Sequence, residues 1–171
     1  FMGDDKMYKV AKVFLATSIL ITGVSFTALP TESNVAQAAV TPYYTYNGYA
    51  GYNAKFVTDK TFINALRYNN ITMNNVKVDA KIRKFEASND YFFKKKYDQV
   101  IEYINHKPTA ITFSVTNKSL KLSDVKKAYA KYQMSSDKVH RAIIYNVNGQ
   151  QISFVYNGND VTSVIIGRYH S

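Results

Sequence analysis

The stretch RAIIYNVNGQQISFVYNGNDVTSVIIGR, residues 141–168, decides the fold. It holds three runs rich in Ile, Val, Tyr and Phe, at 141–147, 151–156 and 161–168, separated by Asn148-Gly149 and Asn157-Gly158-Asn159. Asn and Gly tolerate positive φ, so each separator reads as a tight turn and the whole as an antiparallel meander. Upstream, residues 110–116 alternate Ile111, Phe113 and Val115 with Thr112 and Ser114, the pattern of a strand with one buried face.

Working outward, the remaining segments supply helices and more strand. Ser123 caps a helix over residues 123–132 whose apolar face is Val125, Ala128, Tyr129 and Tyr132, while Lys126, Lys127 and Lys131 point away. Residues 59–68 form a second helix, capped by Thr58 or Asp59, with Phe62, Ile63 and Leu66 on its core face. Residues 71–78 predict a hairpin turning at Asn74-Asn75, and 81–87 the strand after it. Residues 91–105 admit two readings. Phe93, Tyr97, Val100, Ile101 and Ile104 fall at i, i+4, i+7, i+8 and i+11, which favours a helix ended by Pro108; residues 91–97 taken alone suit a strand. The sum is an α+β fold, a mainly antiparallel sheet with two or three short helices packed on it. A helix followed by about three strands occurs twice, an echo that leaves a duplicated unit open although the copies share no obvious residues.

Residues 1–38 read as a removable secretion signal. Lys6, Lys9 and Lys12 precede a largely apolar run at 13–29, polar residues break it at 30–34, and Ala36-Gln37-Ala38 offers the small side chains that signal peptidase requires, with cleavage after Ala38. The competing reading, an uncleaved anchor, has a run only at the lower edge of what spans a bilayer. The expected mature chain is a tyrosine-rich arm, 39–57, followed by a single α+β domain, 58–171, with no stable membrane insertion after cleavage. The chain has no cysteine, so stability rests on packing and hydrogen bonds rather than disulfides. Removing residues 1–38 takes three lysines and three acids and leaves the net charge at +10. That field favours polyanions.

Candidate chemistry is sparse apart from this charge. His106, His140 and His170 lie in separate segments with no metal-ligand spacing, and no phosphate loop, nucleophile elbow or catalytic carboxylate pair stands out. No catalytic residue, metal or cofactor is expected. What recurs is cation beside aromatic: Arg83 and Lys84 before Phe85, Phe93 and Tyr97 flanking Lys94, Lys95 and Lys96, and Lys126 and Lys127 near Tyr129. Cations neutralise phosphates and rings stack on any base, so these residues are the candidate contacts of a sequence-tolerant nucleic-acid surface. The plainer reading is a solvated basic face over an aromatic core. The run TPYYTYNGY, 41–49, continued by Tyr52, is in the same way either a cover strand or a stacking platform.

The run 41–49, continued by Phe56-Val57-Thr58-Asp59-Lys60, by Phe62 to Tyr68 and by Val76-Lys77-Val78, resembles the mature start of the immunodominant staphylococcal antigen B family. The signal ending at Ala36-Gln37-Ala38-Ala39 is similar too, and residues 122–129 resemble that family's second helix. Residues 88–108 depart from the pattern. The resemblance implies a secreted, partly surface-associated, non-enzymatic virulence protein that binds extracellular DNA or RNA without sequence preference. It carries over no binding residues. The alternative function is a cell-surface or host-protein interaction module, with the tyrosine-rich arm and exposed strand edges recognising a partner.

Overall fold

A computed structural model describes residues 41–82 and 90–170. The signal reading, Arg83, Lys84 and most of the strand expected at 81–87 lie outside the described residues. The first half contains β1 (Tyr44–Tyr46), a kinked 3-10 segment (Gly51–Thr58), α1 (Lys60–Arg67), β2 (Ile71–Met73) and β3 (Val76–Val78). A hairpin and a long strand follow: β4 (Tyr91–Lys96), β5 (Gln99–Ile104) and β6 (Lys107–Ser114). The last part is α2 (Leu122–Ala128), β7 (Gln133–Asp137), β8 (Ala142–Val147), β9 (Gln150–Asn157) and β10 (Asp160–Gly167).

The meander forms as its turns dictate. Asn148 and Gly149 both take positive φ, 58° and 82°, and Gly158 takes 60°, the backbone that two tightly joined strands require. It continues into a seven-stranded antiparallel sheet in the order β4-β5-β6-β10-β9-β8-β7. Beside it stands a small sheet, β1-β2-β3, in which β1 runs parallel to β2 and β2 antiparallel to β3. Two cross-strand rows line one face of the large sheet, Phe113-Val164-Phe154-Ile143 and Ile111-Ile166-Ile152-Tyr145, every member buried. Onto these pack Phe62, Ile63 and Leu66 of α1, Val125 of α2 and Tyr129 just beyond it, and Phe56 and Val57 of the 3-10 segment. Each large apolar side chain so buried contributes about 1.5–3 kcal/mol.

The fold class is the α+β expectation, and both expected helices form, α2 ending four residues early. Several local expectations are corrected. Residues 91–105 are not a helix but the β4–β5 hairpin, with Lys96 paired to Gln99 and Tyr91 to Ile104. The helical spacing was coincidental, since Phe93, Tyr97 and Val100 are exposed instead of lining a core stripe. Pairing of β5 with β6, distant from any local signal, supplies the backbone partners that decide for strand. Pro108 ends no helix. It sits inside β6 opposite a register shift at Glu102/Tyr103, where a residue without an N–H is tolerated. Residues 133–137 form an edge strand, β7, whose polar sequence Gln-Met-Ser-Ser-Asp carries no strand pattern. Ser123 does not cap α2; its N–H instead donates to the Asn159 side chain, 3.0 Å away, from the β9–β10 turn. The two helix-led segments are not equivalent units. α1 leads into a hairpin of the small sheet and α2 into four strands of the large one.

The segment 44–58 is woven into the core. Tyr46 is buried, stacks on Phe56 at 4.4 Å, and Phe56 in turn meets Phe62 and Phe113. Gly51 has no room for a side chain, because a Cβ there would lie 2.1 Å from the Ser114 carbonyl oxygen.

Candidate nucleic-acid interface

The strand pleat deals successive side chains to opposite faces. In β4 this separates the lysine run: Lys94 and Lys96 share a face with Phe92, and Lys95 shares the other with Tyr91 and Phe93. Among the described residues β4 is an edge strand, with Lys94 and Lys95 exposed and Lys96 half-buried. The Lys94 Nζ lies 5.5 Å from the ring centres of both Phe92 and Tyr103, which stack at 4.9 Å with an interplanar angle of 3°. On the opposite face Tyr91 and Phe93 meet edge to face at 4.9 Å, and Phe93 is 54% exposed. An exposed ring of this size beside a cation has a face on which a planar group can stack.

The turn of the hairpin extends this surface. Tyr97 takes φ 56°, a left-handed conformation uncommon for a bulky aromatic, and its half-exposed ring stands edge to face against Tyr49 at 5.3 Å. Tyr49 meets Tyr52 at 6.3 Å. Asp98 holds the cluster together: its two carboxylate oxygens accept the backbone N–H groups of Ala50, at 3.0 Å, and Gly51, at 2.7 Å. The Gln99 side chain adds a bond to the Gly48 carbonyl at 3.2 Å. Sequence reading names both tyrosine groups but not their meeting, which depends on contacts almost 50 positions apart. Nor does it single out Asp98.

Acids near the hairpin are otherwise engaged. Glu102 is buried, accepts the Thr109 hydroxyl at 3.1 Å and pairs with His170 at 2.6 Å, and Asp90 faces His106 at 3.4 Å. No ion pair among the described residues involves Lys94, Lys95 or Lys96, whereas Asp160 engages both Lys118 and Lys121. Those two ammonium groups hold the Asp160 carboxyl below its usual range, the Lys121 hydrogen bond being the larger cause. Burial, reinforced by the Glu102 charge, raises the Tyr91 hydroxyl.

Lys126 and Lys127 do not join the hairpin. They are exposed on α2, whose following residue Tyr129 packs on Tyr145 of β8 and Phe154 of β9. The candidate residues therefore divide into two groups, with Arg83 and Lys84 outside the described residues. Each histidine has its own carboxylate neighbour: His106 has Asp90, His140 has Asp137 and His170 has Glu102. Asp137 accepts the His140 backbone N–H, its ring and the Tyr169 hydroxyl, which together lower its carboxyl to about 2. Among the described residues no three such side chains are grouped to share a metal ion, and no helix is long and apolar enough to cross a membrane.

The family model for immunodominant staphylococcal antigen B matches residues 43–166, from just before β1 into β10 and through the hairpin at 91–104. Relatives bearing that name in Staphylococcus aureus strains USA300, NCTC 8325 / PS 47 and bovine RF122 / ET3-1 are 38% identical over 175 residues, covering 95% of this chain and 93% of theirs. No solved structure matches. With a match across both sheets and both helices, the chain belongs to the immunodominant staphylococcal antigen B family.

Proposed function

We propose that this protein acts outside the cell as a non-enzymatic, sequence-independent binder of nucleic acid, and that the β4–β5 hairpin is its contact surface. The observation that carries the reading is the edge strand itself: three lysines without carboxylate partners among the described residues, interleaved with the exposed rings of Phe93 and Tyr97. Phosphates meet the ammonium groups, while bases lie against the rings. Among the described residues no recognition helix is available to read base edges, so affinity is sequence-tolerant. Export places the candidate ligand among extracellular DNA and RNA.

The test is a salt titration of the protein with single- and double-stranded oligonucleotides of mixed sequence. Each phosphate contact contributes about −0.7 to the log-log slope on single strands, so replacing Lys94, Lys95 and Lys96 by Gln makes the slope shallower by about 2. No binding at low salt overturns the reading, as does an unchanged slope in the triple variant. Capture of a host protein through Tyr43, Tyr49 and Tyr52 with no oligonucleotide binding favours the interaction-module alternative.

A further inference from the structure

We infer that the cleft between α1 and α2 is a second, separate anion site that takes a phosphate ester. Its volume is about 470 Å³, and Lys60 of α1, Lys127 of α2 and Lys131 just beyond α2 line it, together with Asn64. Ile63 and Ala128 form an apolar wall. Among the described residues no carboxylate lines the cleft, and none of its three lysines is in an ion pair. Gathering three like charges without a neutralising acid is unfavourable, and an anion seated among them removes that repulsion. The contrast lies in the same molecule: Lys118 and Lys121 have Asp160.

The walls are fixed. Tyr129, between Lys127 and Lys131, is fully buried, donates its hydroxyl to the Val57 carbonyl at 2.6 Å and stacks on Tyr145 at 5.0 Å. That anchor fixes the backbone from which the exposed Lys127 and Lys131 extend, and the Lys131 ammonium lies over the Tyr132 ring at 5.2 Å. The volume lies in the range of small-ligand pockets and exceeds what a bare phosphate fills, leaving room for the esterified group against Ile63 and Ala128. Asn64 supplies a neutral donor and acceptor for a hydroxyl of that group.

The cleft is distant from the hairpin. Tyr129 sits over β8 and β9, while β4 lies at the far edge of the sheet, five strand positions from β8. At about 4.8 Å per strand this is about 24 Å. A single short ligand cannot occupy both, so the cleft fills whether or not the hairpin reading holds.

The experiment is amide NMR of the protein at low ionic strength, titrated separately with inorganic phosphate, glycerol 3-phosphate and thymidine 5′-monophosphate. Saturable shifts are expected at Lys60, Asn64, Lys127 and Lys131 with both esters, and weaker ones with inorganic phosphate. A nucleotide preference assigns the site to nucleic-acid ends, and a glycerol phosphate preference to a wall-type polymer. Lys60→Gln/Lys127→Gln/Lys131→Gln should weaken the ester at least tenfold with the spectrum otherwise preserved, while Lys94→Gln/Lys95→Gln/Lys96→Gln leaves it unchanged. Non-saturating shifts spread over all lysines, or a cleft variant that titrates like the wild type, overturn the proposal.

Discussion

Replacing Tyr97 with glycine separates the hairpin's fold from its proposed binding role. The residue sits at φ 56° in the two-residue turn between Lys96 and Gln99. A left-handed conformation costs an L-residue about 1–2 kcal/mol, and glycine removes that cost while adding about 0.5–1 kcal/mol of lost backbone entropy. The edge-to-face contact with Tyr49 at 5.3 Å is also lost, about 0.5–1.5 kcal/mol for such a pair. These terms nearly cancel, so denaturant unfolding should give a stability within about 1 kcal/mol of the wild type. Binding behaves differently. Stacking of one base is worth about 1–3 kcal/mol, which is a loss of about 5- to 150-fold in affinity for a short oligothymidylate. Because the ring is uncharged, the salt slope stays the same. Fluorescence anisotropy on the two proteins at matched salt reads both quantities. An unchanged Kd in a folded Tyr97→Gly protein refutes the stacking platform, and a stability loss above about 2 kcal/mol refutes the strain argument.

Asp98→Ala removes both acceptors of the Ala50 and Gly51 N–H groups and should cost about 2–4 kcal/mol in urea unfolding, with amide exchange rising first at residues 48–52. Tyr129→Phe leaves the Val57 carbonyl without its 2.6 Å donor and should cost about 1–2 kcal/mol. Burial raises the Tyr129 hydroxyl well above its ordinary value, so the wild type loses stability as pH rises above about 10, where only the unfolded chain ionises; the Phe variant should lose less over that range. Asp137 has the opposite sign. Its folded value of about 2 lies below the ordinary carboxylate value near 4, so its contribution is present above pH 4 and disappears as pH falls through 2. Urea midpoints measured between pH 5 and 2 should therefore fall more steeply in the wild type than in Asp137→Asn.

The strands and helices with strong local signals were legible in the sequence. Asn148-Gly149 and Asn157-Gly158-Asn159 fix two turns through backbone sterics alone, and Phe62, Ile63 and Leu66 fix α1 through their spacing. The net charge, the scarcity of catalytic motifs and the family resemblance were legible too, as were most of the candidate cations. Residues 91–105 were not, because a helical and a pleated reading bury different subsets of the same side chains. Only the β5–β6 register, with Ile101 opposite Ile111, chooses between them. That choice redistributes Lys94, Lys95 and Lys96 over two faces and brings Tyr97 to Tyr49. β7 was equally hidden, its polar residues being held by pairing with β8 rather than by any preference of their own. The α1–α2 cleft gathers lysines about 70 positions apart, which a one-dimensional pattern cannot bring together. Local sterics and periodicity thus determined most of the elements and the overall charge. Long-range pairing and packing decided which side chains meet, because a contact between distant residues acquires its energy only once the chain between them has folded.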